Sequence, residues 1–390
     1  LIYLDHAATT MTDPRVVEEM MPYLTYEFGN PGSLHEFGRS ARDAVDKARE
    51  QVACFFHCEP EQVLFTSGAT EANNTVFQGI CAWLRSNRKG NLVVSQIEHD
   101  SVWKSAHRLE TMGYELRVCP PNNDGQITQS AVRALTDAFT GIVSVMLANN
   151  ETGVINDAIN IGDFCHDNGI LYHCDAVQAA GLDDLDTENI FSSVDFMTIS
   201  GHKIGGPKGI GALFVRNPEL LSPLIVGGSE QEFGFRGGTE NVPAIVGFGK
   251  ACELAQHEQE KHFEYLSIQH RMLYFLLLSL AKEQGLEIRV NGDPERATPK
   301  TLNVCFPGID AQTLLLLLDN NQICVSAGSA CRAHENIPSR VLTSMGISEE
   351  DARSSIRISL SHTNTPEEID RAAHAIICLA ASLKTFPWQT

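Results

Sequence analysis

Between Val63 and Val215 the chain alternates short apolar runs with longer amphipathic stretches. The runs Val63–Thr66, Leu92–Gln96, Ile142–Ala148, Ile170–His173, Phe196–Ile199 and Gly211–Val215 have strand length and favour β-branched and aromatic residues. Ala41–Phe56, Ser101–Met112 and Ile161–Asn168 repeat apolar residues at helical spacing. Strands alternating with helices predict an α/β fold with a mostly parallel sheet covered on both faces. In such a sheet, ligand groups are expected at the carboxyl ends of strands. From about Ile245 the pattern changes. A long helical segment from Ala244 to Glu283 is followed by the apolar run Thr301–Phe306, a helix Asp310–Asn320 and a helical stretch from Glu367 onward. This predicts a second, smaller α+β lobe joined by the N-terminal segment. The expected division is 13–258 for the large lobe, and 1–12 with 259–390 for the small one. No internal repeat, low-complexity tract or long linker interrupts this order.

The strand ends carry candidate chemistry. Phe196–Ile199 runs into Ser200-Gly201-His202-Lys203 and then a glycine-rich turn. An amine at the mouth of a strand, partly desolvated, can shed its proton near neutral pH and bind an aldehyde. Pyridoxal phosphate (PLP) is the natural aldehyde, and Ser200 and His202 are placed to hold its phosphate. About 28 residues upstream, Ile170–His173 leads through Cys174 to Asp175, with Gln178 three residues on. Asp175 suits a protonated pyridine nitrogen, and Gln178 the phenolic oxygen of the ring. Alone, Asp175 reads better as a helix cap. Phe65-Thr66-Ser67-Gly68-Ala69-Thr70-Glu71 takes a strand into a helix start. The backbone amides at Ala69 and the Thr70 hydroxyl would cradle phosphate there, although an ordinary Thr cap fits the same residues. His99, in Ile97-Glu98-His99-Asp100-Ser101, is placed to stack on a cofactor ring and move protons. In isolation it would be a structural histidine.

Composition narrows the class. The chain has 390 residues and a formal charge of −20, from 29 basic and 49 acidic residues. That balance argues against a sequence-independent grip on nucleic acid and suits an enzyme that docks basic partners. No apolar run reaches the roughly 20 residues that span a bilayer. The opening Leu1-Ile2-Tyr3-Leu4-Asp5 does not read as a signal or transit peptide. Eleven irregularly spaced cysteines do not make a secreted disulfide framework, which points to a reducing, cytoplasmic setting. Cys54 and Cys58 flank His57 closely, but no second pair completes a metal site. Cys165, Cys174, Cys252, Cys305 and Cys378 read as core thiols. Cys331 differs. It follows Ser326-Ala327-Gly328-Ser329-Ala330 and precedes Arg332-Ala333-His334-Glu335-Asn336, which describes a solvent-facing loop with a basic neighbour for a thiolate.

These motifs, in this order, resemble the NifS/IscS-type cysteine desulfurases, a branch of the class V aminotransferases within the fold-type I PLP enzymes. The resemblance starts at Tyr3-Leu4-Asp5-His6-Ala7-Ala8-Thr9-Thr10 and Gly29-Asn30-Pro31-Gly32-Ser33-Leu34-His35. It continues through Ser67 to Glu71, Asn149-Asn150-Glu151-Thr152-Gly153 and Ser200 to Lys203. It ends with Arg236-Gly237-Gly238-Thr239-Glu240-Asn241 and Ser326 to Cys331. The resemblance implies a PLP enzyme that converts L-cysteine to L-alanine. Lys203 would bind the cofactor and shuttle the α-proton, and Cys331 would take the sulfur as a persulfide. It further implies that Arg357 holds the substrate carboxylate with Asn150 nearby, and that Asn30 and His35 line the substrate entrance. Thr239 would reach the PLP phosphate of a partner subunit, hence an expected homodimer. A sulfur-acceptor protein, serving Fe–S cluster assembly, thio-modification of RNA or a similar pathway, would receive the product.

Three departures bear on partners and kinetics. Arg332 and His334 stand where small uncharged residues commonly follow the nucleophile. Ser361-His362-Thr363-Asn364 replaces a common Gly-Arg, and Gly227 to Glu232 differs modestly from its usual form. Two other readings stay open on sequence: a selenocysteine lyase on the same fold, which would not depend on Cys331, and a docking scaffold with little activity.

Overall fold

The structure is a computed structural model that describes residues 1–182, 187–228, 230–328 and 337–385. It opens with a two-residue strand, β1 (Ile2–Tyr3). Seven strands follow: β2 (Val63–Thr66), β3 (Asn91–Ser95), β4 (Glu115–Cys119), β5 (Thr140–Ser144), β6 (Leu171–Asp175), β7 (Phe196–Ser200) and β8 (Gly211–Val215). They form one sheet in the order β2-β8-β7-β6-β5-β3-β4. The pairs from β4 across to β7 are all parallel, and β8 runs antiparallel to both β7 and β2. The exception has a simple cause. Residues 201–210 join β7 to β8 without a crossover helix, and so short a link can only return the chain antiparallel. Side chains alternate between two cores. Phe65, Val93, Val143, Tyr172 and Phe214 pack on one face. Leu64, Leu92, Ile142, Leu171 and Leu213 pack on the other. Burial on both faces is why these strands read as continuous apolar runs.

Four further strands follow: β9 (Arg289–Val290), β10 (Thr301–Cys305), β11 (Ile323–Cys324) and β12 (Ser355–Ser359). β12, β10 and β9 form an antiparallel sheet, while β1 pairs in parallel with β11. Asp5 then bridges to Ser359, so the N-terminal segment lies against the C-terminal part of the chain. A 42-residue helix, Val242–Glu283, links the two parts. At about 1.5 Å per residue it is roughly 60 Å long. Its first turns lie so close to neighbouring helices that a Cβ on Gly247 or Gly249 would collide with Met20 or Ala48. Farther along, the Tyr265 hydroxyl donates to the Asn364 carbonyl at 2.6 Å. Its buried residues fall in two groups, Val242 to Cys252 and Leu266 to Ala281, with a partly buried waist between them.

Several elements differ from the sequence expectation. The helix Glu36–Phe56 begins five positions before Ala41 because His35 caps it, its Nδ1 accepting from Gly38 N–H at 3.2 Å. β5 ends at Ser144 rather than Ala148, although Val145 and Leu147 still donate to the β6 carbonyls of His173 and Asp175. β4 has no counterpart among the expected strands. It is an edge strand whose Glu115 and Arg117 face solvent and pair with each other, so it lacks an apolar run.

The opposite edge, β2, is closed by a buried ion pair. Arg49 donates to both carboxylate oxygens of Glu232 at 2.6 and 2.9 Å, and to the Val63 carbonyl at 2.6 Å. Glu232 in turn accepts from the Phe65 N–H at 2.7 Å. The pair holds Glu232 and Phe233 in left-handed conformations, φ 42° and 54°, that non-glycine residues resist. Arg49→Ala leaves a buried carboxylate unpaired, and a loss of about 3–5 kcal/mol is expected. Denaturant unfolding checks this; an unchanged midpoint and slope would show that the clamp contributes nothing.

Candidate active site

The carboxyl ends of β6 and β7, the start of the helix Ala69–Gly79 and the segment Ala7 to Thr9 surround a cavity of about 480 Å³. Ten of the residues expected from sequence line it: Ala69, Thr70, His99, Asn150, Asp175, Gln178, Ser200, His202, Lys203 and Arg357.

Lys203 sits on the short turn after β7. Its Nζ donates to the carbonyls of Ala7 at 2.5 Å and Ala8 at 2.8 Å. Burial, followed by the nearby cations Lys300 and Arg357, lowers its pKa to about 7. A neutral nucleophilic amine is therefore well populated at neutral pH. His202 beside it is pushed down to about 4, by burial first and then by Lys203 and Lys208, and stays uncharged. Its Nδ1 lies 3.2 Å from the Thr9 hydroxyl.

Asp175 is the last residue of β6 and is buried. One carboxylate oxygen accepts from Val177 N–H at 3.1 Å, the other from Asn73 Nδ2 at 2.9 Å. The same Asn73 Nδ2 donates to the Ser101 hydroxyl at 2.9 Å, and that hydroxyl lies 2.8 Å from His99 Nδ1. Ser101 N–H also donates to His99 Nδ1 at 3.2 Å, which makes that nitrogen an acceptor and leaves the proton of the neutral ring on Nε2. Asn73 Oδ1 completes the network with His173 Nε2 at 3.1 Å, and burial lowers the His173 pKa to about 3. The two groups expected to hold the cofactor ring, Asp175 and His99, are thus fixed through one amide.

Arg357, on β12, is only 2% exposed. It is not the surface residue that its place near a sheet edge allowed. Nη1 donates to the Asn150 carbonyl and Nη2 to Asp5, each at 2.8 Å, while the buried Nε has no partner.

These residues fit PLP. Gly68, at φ 141°, caps the helix Ala69–Gly79 without any side-chain hydrogen bond, so its first amides have neither an intrahelical partner nor a side-chain cap. A Cβ on Gly68 would stand 3.8 Å from the Ser200 hydroxyl, which places that hydroxyl at the same cradle. The buried Gln178 Oε1 has no partner, although Gln178 Nε2 donates to the Ala7 carbonyl at 3.0 Å. A buried amine with a lowered pKa, a fixed carboxylate and an uncapped helix start in one cavity match the aldehyde, ring nitrogen and phosphate of that cofactor.

Other expected residues lie elsewhere. Thr239 is exposed and does not line the cavity, although neighbouring Arg236 is anchored to Glu71 at its rim, Nε to Oε1 2.9 Å. Asn30 is exposed and holds its own turn, accepting from Gly32 N–H at 2.9 Å, while His35 is the helix cap described above. Neither reaches the cavity within this chain. Cys331, with Ser329, Arg332 and His334, lies outside the described residues. Cys378 is exposed and not a core thiol, since it faces outward from the last helix. Asn73, Asp5 and Lys300 were not singled out from sequence. Asp5 lies in the first motif and so had a signal, whereas Asn73, a helical asparagine, had none. Lys300, ahead of β10, reads as an ordinary surface lysine and had none.

The family profile of class-V aminotransferases matches residues 2–372. A Bacillus subtilis (strain 168) protein named putative cysteine desulfurase IscS 1 is 40% identical over 374 residues, covering 95% of this chain and 96% of its own. A solved NifS-like protein superposes with a TM-score of 0.89 at 34% identity, covering 98% of this chain and all of its own. The structure titled SspA in complex with cysteine superposes at 0.78 with 33% identity, covering 94% of this chain and 100% of its own.

Proposed function

The chain belongs to the class-V aminotransferase family and to its NifS/IscS-type cysteine desulfurases, and from that membership we propose that it uses PLP to convert L-cysteine to L-alanine and passes the sulfur, as a persulfide on Cys331, to an acceptor protein. The observation that carries this reading is the shared cavity, where an amine with pKa about 7 stands with a fixed carboxylate and a buried arginine.

Bound there, PLP supplies an aldehyde for the substrate amine and an electron sink for its α-carbon. Asp175 would hold the ring nitrogen, His99 the ring face and Gln178 the phenolic oxygen. Ala69, Thr70, Ser200 and His202 would hold the phosphate. Arg357, with Asn150 beside it, takes the substrate carboxylate and so orients the α-C–H bond toward Lys203, which accepts and returns the proton. The Cys331 thiolate then takes the substrate sulfur. The Cβ–Sγ bond breaks, an S–S bond forms, and the thiol proton balances the new C–H of alanine. No external oxidant or reductant is consumed.

A homodimer belongs to the same reading. Phe28, Leu34 and Val226 are 74, 91 and 83% exposed, large apolar side chains that a second copy would cover. Asn30 and His35 lie in the same exposed stretch and would meet the substrate entrance through that copy. Thr239, exposed here, would reach the partner's phosphate site. The proposed lobes are 13–258, and 1–12 with 259–390, meeting at the waist of the long helix. No helix among the described residues is long and apolar enough to cross a membrane. A cytoplasmic enzyme serving an Fe–S or thio-modification pathway is the setting proposed.

The test is purified protein with PLP and L-cysteine. Alanine should appear with one sulfur released per turnover when a thiol reductant is present; bound PLP without alanine would overturn the reading. In the same assay Arg357→Ala should weaken cysteine by about 1.5–3 kcal/mol, the range for a lost charge-assisted hydrogen bond, or roughly 10- to 150-fold in concentration. Unchanged cysteine affinity would remove Arg357 from the carboxylate site.

A further inference from the structure

We propose that Lys300 is a positioning residue for this reaction, its buried ammonium, held on the Lys203 carbonyl, keeping the Lys203 amine unprotonated and ready to bind the cofactor. The inference rests on the reading of Lys203 as the PLP-binding amine.

Lys300 directly precedes β10 and is 7% exposed. Its Nζ donates to the Lys203 carbonyl at 3.2 Å. Among the described residues no carboxylate pairs with it, and the charged neighbour that acts on it is another cation, Arg357. Burial lowers its pKa to about 8, so it remains largely charged at neutral pH. A buried cation without a counter-ion is costly, and a methionine would fill the space without that cost. The charge therefore asks for a role.

Lys203 is the group placed to feel it. The two lysines share the wall of a second cavity, about 150 Å³, behind the turn that carries Lys203. Other charged or titratable groups act on Lys203 or share these cavities: Asp5 and His6 from the N-terminal segment, Asp175 from β6, Arg357 from β12, and His202 and Lys208 from its own turn. Of the rest, Asp13 and Glu258 are paired with Arg15, Glu71 with Arg236, His262 stacks on His362 and His99 is held by Ser101. His202 and His6 are pushed down to about 4 and carry no charge at neutral pH. Asp5 is tied to Arg357 at 2.8 Å, so the field of that arginine is partly cancelled. Asp175, hydrogen-bonded to Asn73 and the Val177 amide, acts in the opposite sense and more weakly than Lys300. Lys208 is exposed and screened. Lys300 alone is cationic, buried and without a carboxylate, and it is the first charge, after burial, that lowers the Lys203 pKa.

The test uses the full chain freed of PLP. Trace acetylation by acetic anhydride reads the neutral fraction of Lys203 across pH by mass spectrometry. The wild-type midpoint should lie near 7. Lys300→Met and Lys300→Gln should raise it by about one unit, equal to ~1.4 kcal/mol, making Lys203 about tenfold less reactive below the midpoint. Lys300→Arg keeps the charge and should keep the midpoint. PLP capture, in which the Lys203 nitrogen replaces the aldehyde oxygen and water leaves, should shift in parallel when trapped with borohydride. An unmoved midpoint in the neutral variants would overturn the proposal. So would an equal shift in Lys300→Arg, which would mean packing and not charge. Borohydride-fixed PLP on another residue, with the acetylation shift intact, would overturn the Lys203 reading and not the effect of Lys300.

Discussion

Lys203→Ala is expected to end cysteine-dependent alanine formation and to leave PLP bound without its covalent link. Two roles vanish together. The amine proposed to bind the cofactor is gone, and so is the proposed base for the substrate α-proton, a role that alone contributes about 10²–10⁴-fold. Nothing nearby replaces it. His202 is held uncharged but its Nδ1 meets Thr9, and Lys300 is turned onto the Lys203 carbonyl. The pH dependence follows from the sign of the shift. With a pKa lowered to about 7, Lys203 is protonated and inert below that value and reactive above it. PLP capture by the cofactor-free chain should therefore rise through neutrality and level off, whereas an unperturbed lysine would still be gaining near pH 10.4. Retained alanine formation in Lys203→Ala, or capture that keeps rising in the wild type well beyond neutral pH, would remove the assignment.

The residues legible in the sequence share a structural reason. Lys203, Asp175 and Thr70 follow strand ends, and a parallel sheet brings its carboxyl ends to one side whatever the loops do. Reading the strands was therefore enough to gather them. Arg357 needed the second sheet. It alternates with Ile356 and Ile358 on β12, and both faces of that strand are covered, because Asp5 and Asn150 reach Arg357 from distant segments. Asn30, His35 and Thr239 lie in surface segments whose placement within one chain leaves them outside the cavity, and no local pattern encodes what a second copy would bring. Asn73 and Lys300 show a different limit. A helical asparagine and a pre-strand lysine are ordinary in sequence, and only burial and hydrogen-bond partners mark them out. β4 was missed because its outward Glu115 and Arg117 break the apolar run that identified the other strands.

Cys331→Ala should bind PLP and cysteine normally yet release almost no sulfide and carry no persulfide. The argument begins with the other thiols. None of the ten described cysteines lines the cavity. Burial pushes Cys58, Cys119 and Cys165 up to about 12 and Cys305 to about 11, and raises Cys174 and Cys252 further still. Such thiols hold almost no thiolate at neutral pH, and the thiolate is the form that attacks sulfur. Cys331 differs in its sequence: small residues before it, Arg332 after it and no large apolar residue between Ser326 and Asn336. The chain also enters and leaves that segment at the site. Ser326 bridges to Arg357, and the Ser339 hydroxyl donates to Glu151, next to Asn150, at 2.5 Å. Removing the thiol of that segment should cost at least about 100-fold in sulfide release, or ~2.7 kcal/mol of barrier. L-Selenocysteine separates the remaining alternative, since selenium can leave without a thiol nucleophile. Loss of cysteine turnover together with loss of the protein-bound persulfide makes Cys331 the sulfur carrier. Normal sulfide release by the variant would exclude it, and activity confined to selenocysteine that survives the substitution would make the chain a lyase.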